Sequence, residues 1–580
     1  MLSSLQRALP LLATWRGYDR RQAGHDLLGA LLVSLLLTPQ ALAYAQLAGL
    51  PAEAGLFASI LPLLAYALFG ASPGVALAVG PVAILALMTA SALQPLGLSG
   101  AAYGAAALSL TLLVGLLLAL LALLRLGFLA NFLSHPVIAG FVSGSALLIA
   151  ASQVRHLLGV SAEGHNLPQL FPALWAQLPA SHGPTLAVGL GSVLLLVLLR
   201  GPLPRLLQRL GLKPSRAQLS NRLAPLLVVG LALLLSALLQ LDSQGVRVVG
   251  AVTAHLPGFS LPSFNPALLL DLLPSAALIA LVGFVESISI AQSLAARQRQ
   301  SVQPDRELFG QGAANLAAAF SGGLPVAASF SRSAIAVDSG ARTPMVGVFT
   351  AALMLLVLVL LTPLLRLLPQ AVLAASIIVA VLGLIDLRSL WRTWRYAWQD
   401  GVAQAATLLG VLLVGVEPGI VIGVALSLLL FLWRTSRPHI AVVGQLPGSE
   451  HFRNIERYAV VQSETVLSLR VDESLYFPNA RYLEERIAEL VAARPAVRHL
   501  VLMCSGVNLI DASALDSLET IDARLHSAGV QLHLSEVKGP VLDRLKRSDF
   551  FQRFAGQVFV SQYAALCQLD PQTAQQALSR

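Results

Sequence analysis

Up to about residue 440, apolar runs alternate with short breaks marked by Gly, Pro or charge. A helix needs roughly 20 mostly apolar residues to cross the hydrocarbon core of a membrane. Runs near that length lie at 26–48, 53–69, 102–124, 133–155, 184–200, 222–240, 272–296, 306–322, 345–366, 369–385, 400–416 and 417–434. Two more, 81–94 and 329–339, are too short to cross. Each follows a Gly/Pro-rich stretch, ALAVGPVAI (76–84) and SGGLPVAASF (321–330). The pattern predicts 14 segments in all. The short ones are third and tenth in order, the offset expected of two repeats of seven. The stretch 1–25 has no compact apolar core ahead of a small-residue cleavage site, so the first apolar run is expected to be a retained span.

Beyond residue 460 the pattern becomes that of an α/β domain. VLSLRVDES (466–474), HLVLMCSGV (499–507) and VQLHLSEV (530–537) read as strands. ARYLEERIAELVAAR (480–494), ALDSLETIDARLHSAG (514–529) and PVLDRLKRS (540–548) read as amphipathic helices, expected on one side of the sheet. The expected organisation is a short N-terminal segment (1–25), a membrane domain (26–436), a linker (437–459), the α/β domain (460–568) and a tail (569–580). The α/β part has no Gly-rich phosphate loop and no nucleophile elbow, so the chain does not read as an enzyme.

Composition sharpens this division. The chain is 56% hydrophobic and 12% charged, against about 25% charged in soluble domains. The overall charge of +9 divides into +11 over residues 1–440 and −2 over the remainder. The basic excess is loop arginine rather than a nucleic-acid surface. With the N-terminus inside, 20 of the 24 basic residues before 441 fall on the inner side, as cytoplasmic loops require. They include Arg7, Arg16, Lys213, and Arg200 at the end of the sixth run. Arg155, Arg247 and Arg366 fall outside. Both termini are therefore expected in the cytoplasm. LRSLWRTWRYAW (387–398) interleaves Trp with Arg and reads as a helix lying at the inner headgroup level, touching lipid. Cys504 and Cys567 form neither a disulfide framework nor a metal site, and no cofactor is expected.

The two short segments are the candidate binding site. Non-helical backbone at membrane depth has to line a cavity or be buried in protein, and paired interrupted segments in two halves point to a transporter's substrate site. The start of a helix leaves N–H groups free and carries about +0.5 charge, so two such starts meeting would hold an anion. The donors expected are those of Val82 and Ala83 in one segment and of Ser329, Phe330 and Ser331 in the other. Arg332 escapes the loops and lies within the membrane, a functional residue by default. Glu286, inside LIALVGFVESISIAQSL (278–294), is its acidic counterpart, with counter-ion, proton carrier and cation ligand as its open roles. Gln40 and Tyr44 lie one helical turn apart and are expected to face one cavity.

TPQALAYAQLAGLPAEAGLFAS (38–59), VGPVAILALM (79–88), NFLSHPVIAGFVSG (131–144), VESISIAQSLA (285–295) and GQGAANLAAAFSGGLPVAASFSRSAIAVDSGARTP (310–344) resemble the SulP family of anion transporters. The resemblance implies the uracil-permease-like fold, an α-helical polytopic membrane protein of two inverted seven-segment repeats split into core and gate, working as an elevator. It implies an anion pocket at Gln40, Tyr44, Val82, Ala83, Ser329, Phe330, Ser331 and Arg332, with Glu286 in coupling. Sodium-coupled bicarbonate members place hydroxyls where Ile290 and Phe330 stand here. A hard cation wants oxygen ligands, so proton symport or anion exchange is expected instead. The tail resembles a STAS domain through NLIDASALDSLETI (508–521). Ala512, not Ser, follows Asp511, which argues against a phosphoswitch there and for a helix N-cap.

The expectation is thus a secondary active carrier of a small inorganic anion, sulfate first, in a cell inner membrane. Its partners would be protons or a counter-anion, membrane lipid, a second copy in a homodimer, and a cytoplasmic protein on the STAS domain, but no nucleic acid. A bicarbonate or dicarboxylate carrier, or a passive channel on the same scaffold, is the alternative.

Overall fold

A computed structural model describes residues 11, 18–70, 77–209, 214–250, 256–297 and 299–579. Arg7, Arg16, Lys213 and most of the stretch 1–25 lie outside the described residues. The chain divides into two compact units, Met1–Ser427 and Leu428–Arg580.

In the first unit, a helix forms over each apolar run. They are α1 (Arg20–Leu47), α2 (Ala52–Phe57), α3 (Leu61–Phe69), α4 (Ala83–Leu93), α5 (Gly100–Leu123), α6 (His135–Leu158), α7 (Leu167–Gln177), α8 (Gly183–Arg200), α9 (Pro202–Arg209) and α10 (Pro214–Leu239) in the first half. The second half holds α11 (Pro266–Arg297), α12 (Pro304–Phe320), α13 (Phe330–Asp338), α14 (Met345–Leu356), α15 (Thr362–Leu365), α16 (Gln370–Leu382), α17 (Leu387–Tyr396), α18 (Trp398–Leu413) and α19 (Val416–Ser436). Among the described residues, 9 helices are long and apolar enough to cross a membrane. The chain is a polytopic membrane protein with an order consistent with two inverted repeats. The second run is interrupted between α2 and α3, and the eleventh passes through a π-helical turn at Val357–Leu361. The Trp/Arg segment forms α17, with Trp391 and Trp394 exposed.

The helices pack in two groups. In one, α12 lies along α5 and α3, with α1, α4, α11, α13 and α14 around them; in the other, α6, α8, α10, α16 and α18 pack together. Small residues permit the close approaches. A Cβ on Gly70 would stand 2.3 Å from the Gly310 Cα, and one on Gly55 would stand 1.8 Å from the Ala41 carbonyl oxygen. Two buried carboxylates join helices within the first group. Tyr66 donates to Glu307 Oε2 at 2.5 Å. Asp26 accepts from Tyr18 (3.0 Å), from the Arg342 amide (3.2 Å) and from Thr343.

Each short helix is preceded by a strand. β1 (Val79–Pro81) and β2 (Val326–Ala328) pair antiparallel, with Gly80 opposite Ala327 and Pro81 opposite Val326. Backbone groups alternate sides along a strand, and the two edges of β2 are served differently. Its odd-numbered side faces β1, where the Ser329 amide donates to the Ala78 carbonyl at 3.2 Å. Its even-numbered side is served by side chains. Asn315 on α12 accepts from the Val326 amide (3.0 Å) and donates to the Val326 carbonyl (3.1 Å). Ser287 on α11 accepts from the Ala328 amide (3.0 Å) and from Gln311 (3.0 Å). Asn315, Ser287 and Gln311 are all buried. In a water-free interior this is how a two-stranded ladder avoids orphaned backbone groups.

The second unit carries a sheet ordered β4 (Phe452–Asn454), β3 (Ile440–Gln445), β5 (Val466–Val471), β6 (His499–Met503), β7 (Gln531–Ser535), β8 (Val558–Phe559). The strands β5 to β8 are parallel and β3 is antiparallel to β5. One face is covered by α20 (Phe477–Ala492), α21 (Ala512–Ser527), α22 (Gly539–Lys546) and α23 (Phe550–Arg553). The expectation of helices on one side only is corrected here. α24 (Gln562–Leu569) and α25 (Pro571–Ser579) cover the other face, packing Leu566 and Ala574 against Val443, Val466 and Val501. Gln562 reaches into that layer between Ser468 (2.8 Å) and Ser535 (2.5 Å). Asp511 caps α21, accepting from the Ala514 amide (2.9 Å) and from the Phe477 amide (2.9 Å).

Candidate functional site

Because β1 and β2 run antiparallel and each leads at once into a short helix, α4 and α13 begin at opposite ends of the three-residue ladder and run apart. Their positive ends converge. Neither helix has a side-chain cap at its start, at Val82 or at Ser329, so the first-turn amides remain available to a ligand. The Ser329 amide is not among them, being committed to Ala78. Here the sequence expectation is corrected: Ser329 offers its hydroxyl, 3.2 Å from that of Ser331.

A cavity of about 210 Å³ lies against these two starts, many times the 10–15 Å³ that one water molecule occupies. Gln40, Tyr44, Val82, Ala83, Glu286, Ser329, Phe330 and Ser331 all line it. Pro39 on α1 and the apolar length of α11 do not displace Gln40, Tyr44 and Glu286 from this wall. Glu286 Oε2 is buried with no hydrogen-bond partner. Such a carboxylate is stable as an anion only with a compensating positive field, which the two helix starts supply.

Arg332 is positioned differently from its neighbours. It is fully buried and does not line the cavity. Helical side chains lean toward the N-terminus of their helix, and from the first turn of α13 that lean carries the guanidinium across to β1. There Nη1 donates to the Pro81 carbonyl (2.9 Å) and to Gln40 Oε1 (3.2 Å). Nε and Nη2 have no partner. Arg332 therefore braces the β1–α4 junction and orients Gln40 from behind the wall, and no ion pair joins it to Glu286.

The opposite wall was not anticipated as part of the site. Ala380, Val381 and Leu384, at the end of α16, and Arg200, the last residue of α8, complete the cavity. Arg200 ends an apolar run, so its position marks it as a loop cation; only the packing of α8 on α16 brings it to the cavity.

The Sulfate permease family matches residues 24–407, and the STAS domain family matches residues 457–565. Among curated relatives, a probable sulfate transporter of Mycobacterium tuberculosis is 35% identical, with 94% of each chain covered. The chloroplastic sulfate transporter 4.1 of Arabidopsis thaliana is 34% identical over 90% of this chain and 76% of its own. Among solved structures, the murine solute carrier 26 family member A9 anion transporter in the inward-facing state superposes with a TM-score of 0.88 at 21% identity, covering 99% of this chain and 95% of that one. The transmembrane domain of a cyanobacterial bicarbonate transporter covers 71% of this chain and 98% of its own, with a TM-score of 0.57 at 23% identity.

Proposed function

The chain belongs to the sulfate permease family, with a C-terminal STAS domain, and from that premise we propose that it carries a small inorganic anion, sulfate first, across a cell inner membrane. The observation that carries this reading is the cavity itself, where two uncapped helix starts converge on one volume beside serine hydroxyls. Backbone amides at a helix start bind oxyanions through fixed donors and a fixed partial charge. Sulfate, as a compact dianion, gains from both starts at once. The names of the curated relatives point the same way.

Transport is coupled to protons or to a counter-anion, with Glu286 as the coupling group. An unpartnered carboxylate on the wall of an anion site opposes the anion's charge unless it takes up a proton, which links the two occupancies. Ile290 is buried and Phe330 lines the cavity, so neither supplies the oxygen ligand a sodium ion wants. The group holding α4 and α13 moves against the group holding α8 and α16 in an elevator-like step. The N-terminus and the STAS domain face the cytoplasm, where that domain binds a protein partner, and the membrane part forms a homodimer.

The test is uptake into proteoliposomes of the full chain, with labelled sulfate, bicarbonate, chloride and succinate compared at two external pH values. Sulfate uptake that follows a proton or counter-anion gradient is expected. Sulfate flux indifferent to both gradients would mean a passive channel, and no flux of any anion would refute the reading.

A further inference from the structure

With Arg332 held behind β1, the cation presented to the cavity is Arg200. It comes from the wall opposite the helix starts, and the other residues there, Ala380, Val381 and Leu384, are apolar. Its Nη1 makes one long bond, 3.4 Å, to the Val379 carbonyl of α16, and its Nε is buried with no partner. A guanidinium has five donors in a planar fork. Leaving most of that fork unused inside a membrane protein is costly, and no carboxylate among the described residues pairs with it: Glu286, across the same cavity, forms no ion pair with Arg200.

We propose that Arg200 is a second anion ligand, supplied by the α8–α16 wall, which clamps the oxyanion against the helix starts of α4 and α13. This rests on the reading of the cavity as an anion site and adds a residue to it. The bound anion then spans the two helix groups: amides and serine hydroxyls on one side, and one fork of a guanidinium on the other. Arg–oxyanion contacts are commonly bidentate, and a guanidinium held to protein by one long bond keeps donors to spare for them. Since Arg200 and the helix starts belong to different groups, the clamp exists only while the two walls are close. Sliding one group past the other removes Arg200 from the anion, so the same residue favours capture in this arrangement and release in another. A dianion gains more from the clamp than a monoanion, so Arg200 also sets selectivity for sulfate over chloride.

The experiment uses the full-length protein, comparing wild type, R200Q and R200K for equilibrium binding of sulfate and chloride in detergent and for uptake in proteoliposomes. R200Q is expected to weaken sulfate binding roughly ten- to a hundredfold, the usual loss for one charge-assisted contact, and chloride binding much less. R200K is expected to recover most of the sulfate affinity. A residue that merely fastened α8 to α16 would lower the affinity of both anions alike, and that outcome would overturn the proposal. So would R200Q binding sulfate within twofold of wild type. If R200Q fails to fold, R200C alkylated after purification keeps the test open: a cationic aminoethyl adduct restores sulfate binding and a neutral adduct of similar size does not, whereas equal behaviour of the two adducts refutes the clamp. Wild-type protein that binds no anion overturns the site itself, and wild-type binding with an unaffected R200Q overturns only the clamp.

Discussion

Asn315 does not touch the cavity, yet its replacement is expected to abolish transport. Asn315→Leu keeps the γ-branched shape and removes three hydrogen bonds, those to the Val326 amide, the Val326 carbonyl and the Gln311 carbonyl. Hydrogen bonds between membrane helices average only about 0.6 kcal/mol on deletion, because the released groups find other partners. The Val326 groups have no such alternative. They lie on the edge of β2 that points away from β1, so the strand pairing offers them nothing, and Asn315 is fully buried. Two orphaned backbone groups at roughly 1–3 kcal/mol each put the loss at about 2–6 kcal/mol. It falls on β2, which leads directly into the α13 start. At about 1.4 kcal/mol per decade, even the lower figure predicts a fall in Vmax of more than tenfold. N315D, which still accepts from the Val326 amide but no longer donates to its carbonyl, is expected to fall between wild type and N315L. The assay is initial-rate sulfate uptake at matched amounts of reconstituted, monodisperse protein. N315L retaining more than half the wild-type rate would refute the idea that side chains set the position of this strand.

Three further outcomes are expected. Glu286→Gln fixes the coupling group in its neutral form, so uptake should lose its dependence on external pH between 5.5 and 7.5; a variant whose pH profile matches wild type excludes Glu286 from coupling. Gly70→Ala sets a Cβ 2.3 Å from the Gly310 Cα, forcing α3 from α12 and stretching the Tyr66–Glu307 bond, and should leave little monodisperse protein on size exclusion; wild-type yield would contradict the packing. In the second unit, His533 accepts from the Gln557 amide at Nδ1 (3.1 Å) and so donates from Nε2 to His499 Nδ1 (3.1 Å). Both rings are neutral in this arrangement, and burial, reinforced for His533 by His499, pushes its pKa down to about 4, while His499 is also lowered, by burial and Arg498. The unfolded state therefore binds more protons between about pH 6.5 and 4, and stability falls as pH drops through that window. Amide-exchange protection of β7 in the full chain, corrected for intrinsic rates, should decline there, and protection that stays constant would contradict the neutral pair.

The spans were legible in the sequence because length and hydrophobicity are what the bilayer selects, and the two half-helices because Gly and Pro mark where the backbone leaves the helix. Residues that point along a helix face, such as Gln40 and Tyr44, were legible too, since periodicity fixes their common direction. Arg332 was legible as an exception but not in its role, because where a long side chain ends depends on the strand that crosses it. Arg200 was illegible. At the end of an apolar run it reads as a loop cation, and only the neighbouring helix decides whether it turns to water or to a cavity. Ser287, Gln311 and Asn315 carried little signal either, since polar residues in spans gain meaning only from the ladder edge they serve. In the α/β unit, α24 and α25 escaped notice because AALCQL is too short a run to announce a buried face.

The pairing of β1 with β2 also constrains how the protein is made. Segments three to nine are synthesised between the two strands, so β1 enters the bilayer well before its partner exists. Its backbone must stay in the translocation machinery, under a chaperone or in a provisional pairing until β2 emerges, because lipid offers it no hydrogen bonds. The first half of the membrane unit is therefore an intermediate with an unfinished edge, and quality control has a simple feature to inspect. A chain stopped before β2 should be degraded, and the two halves expressed as separate polypeptides should rescue each other only when present together.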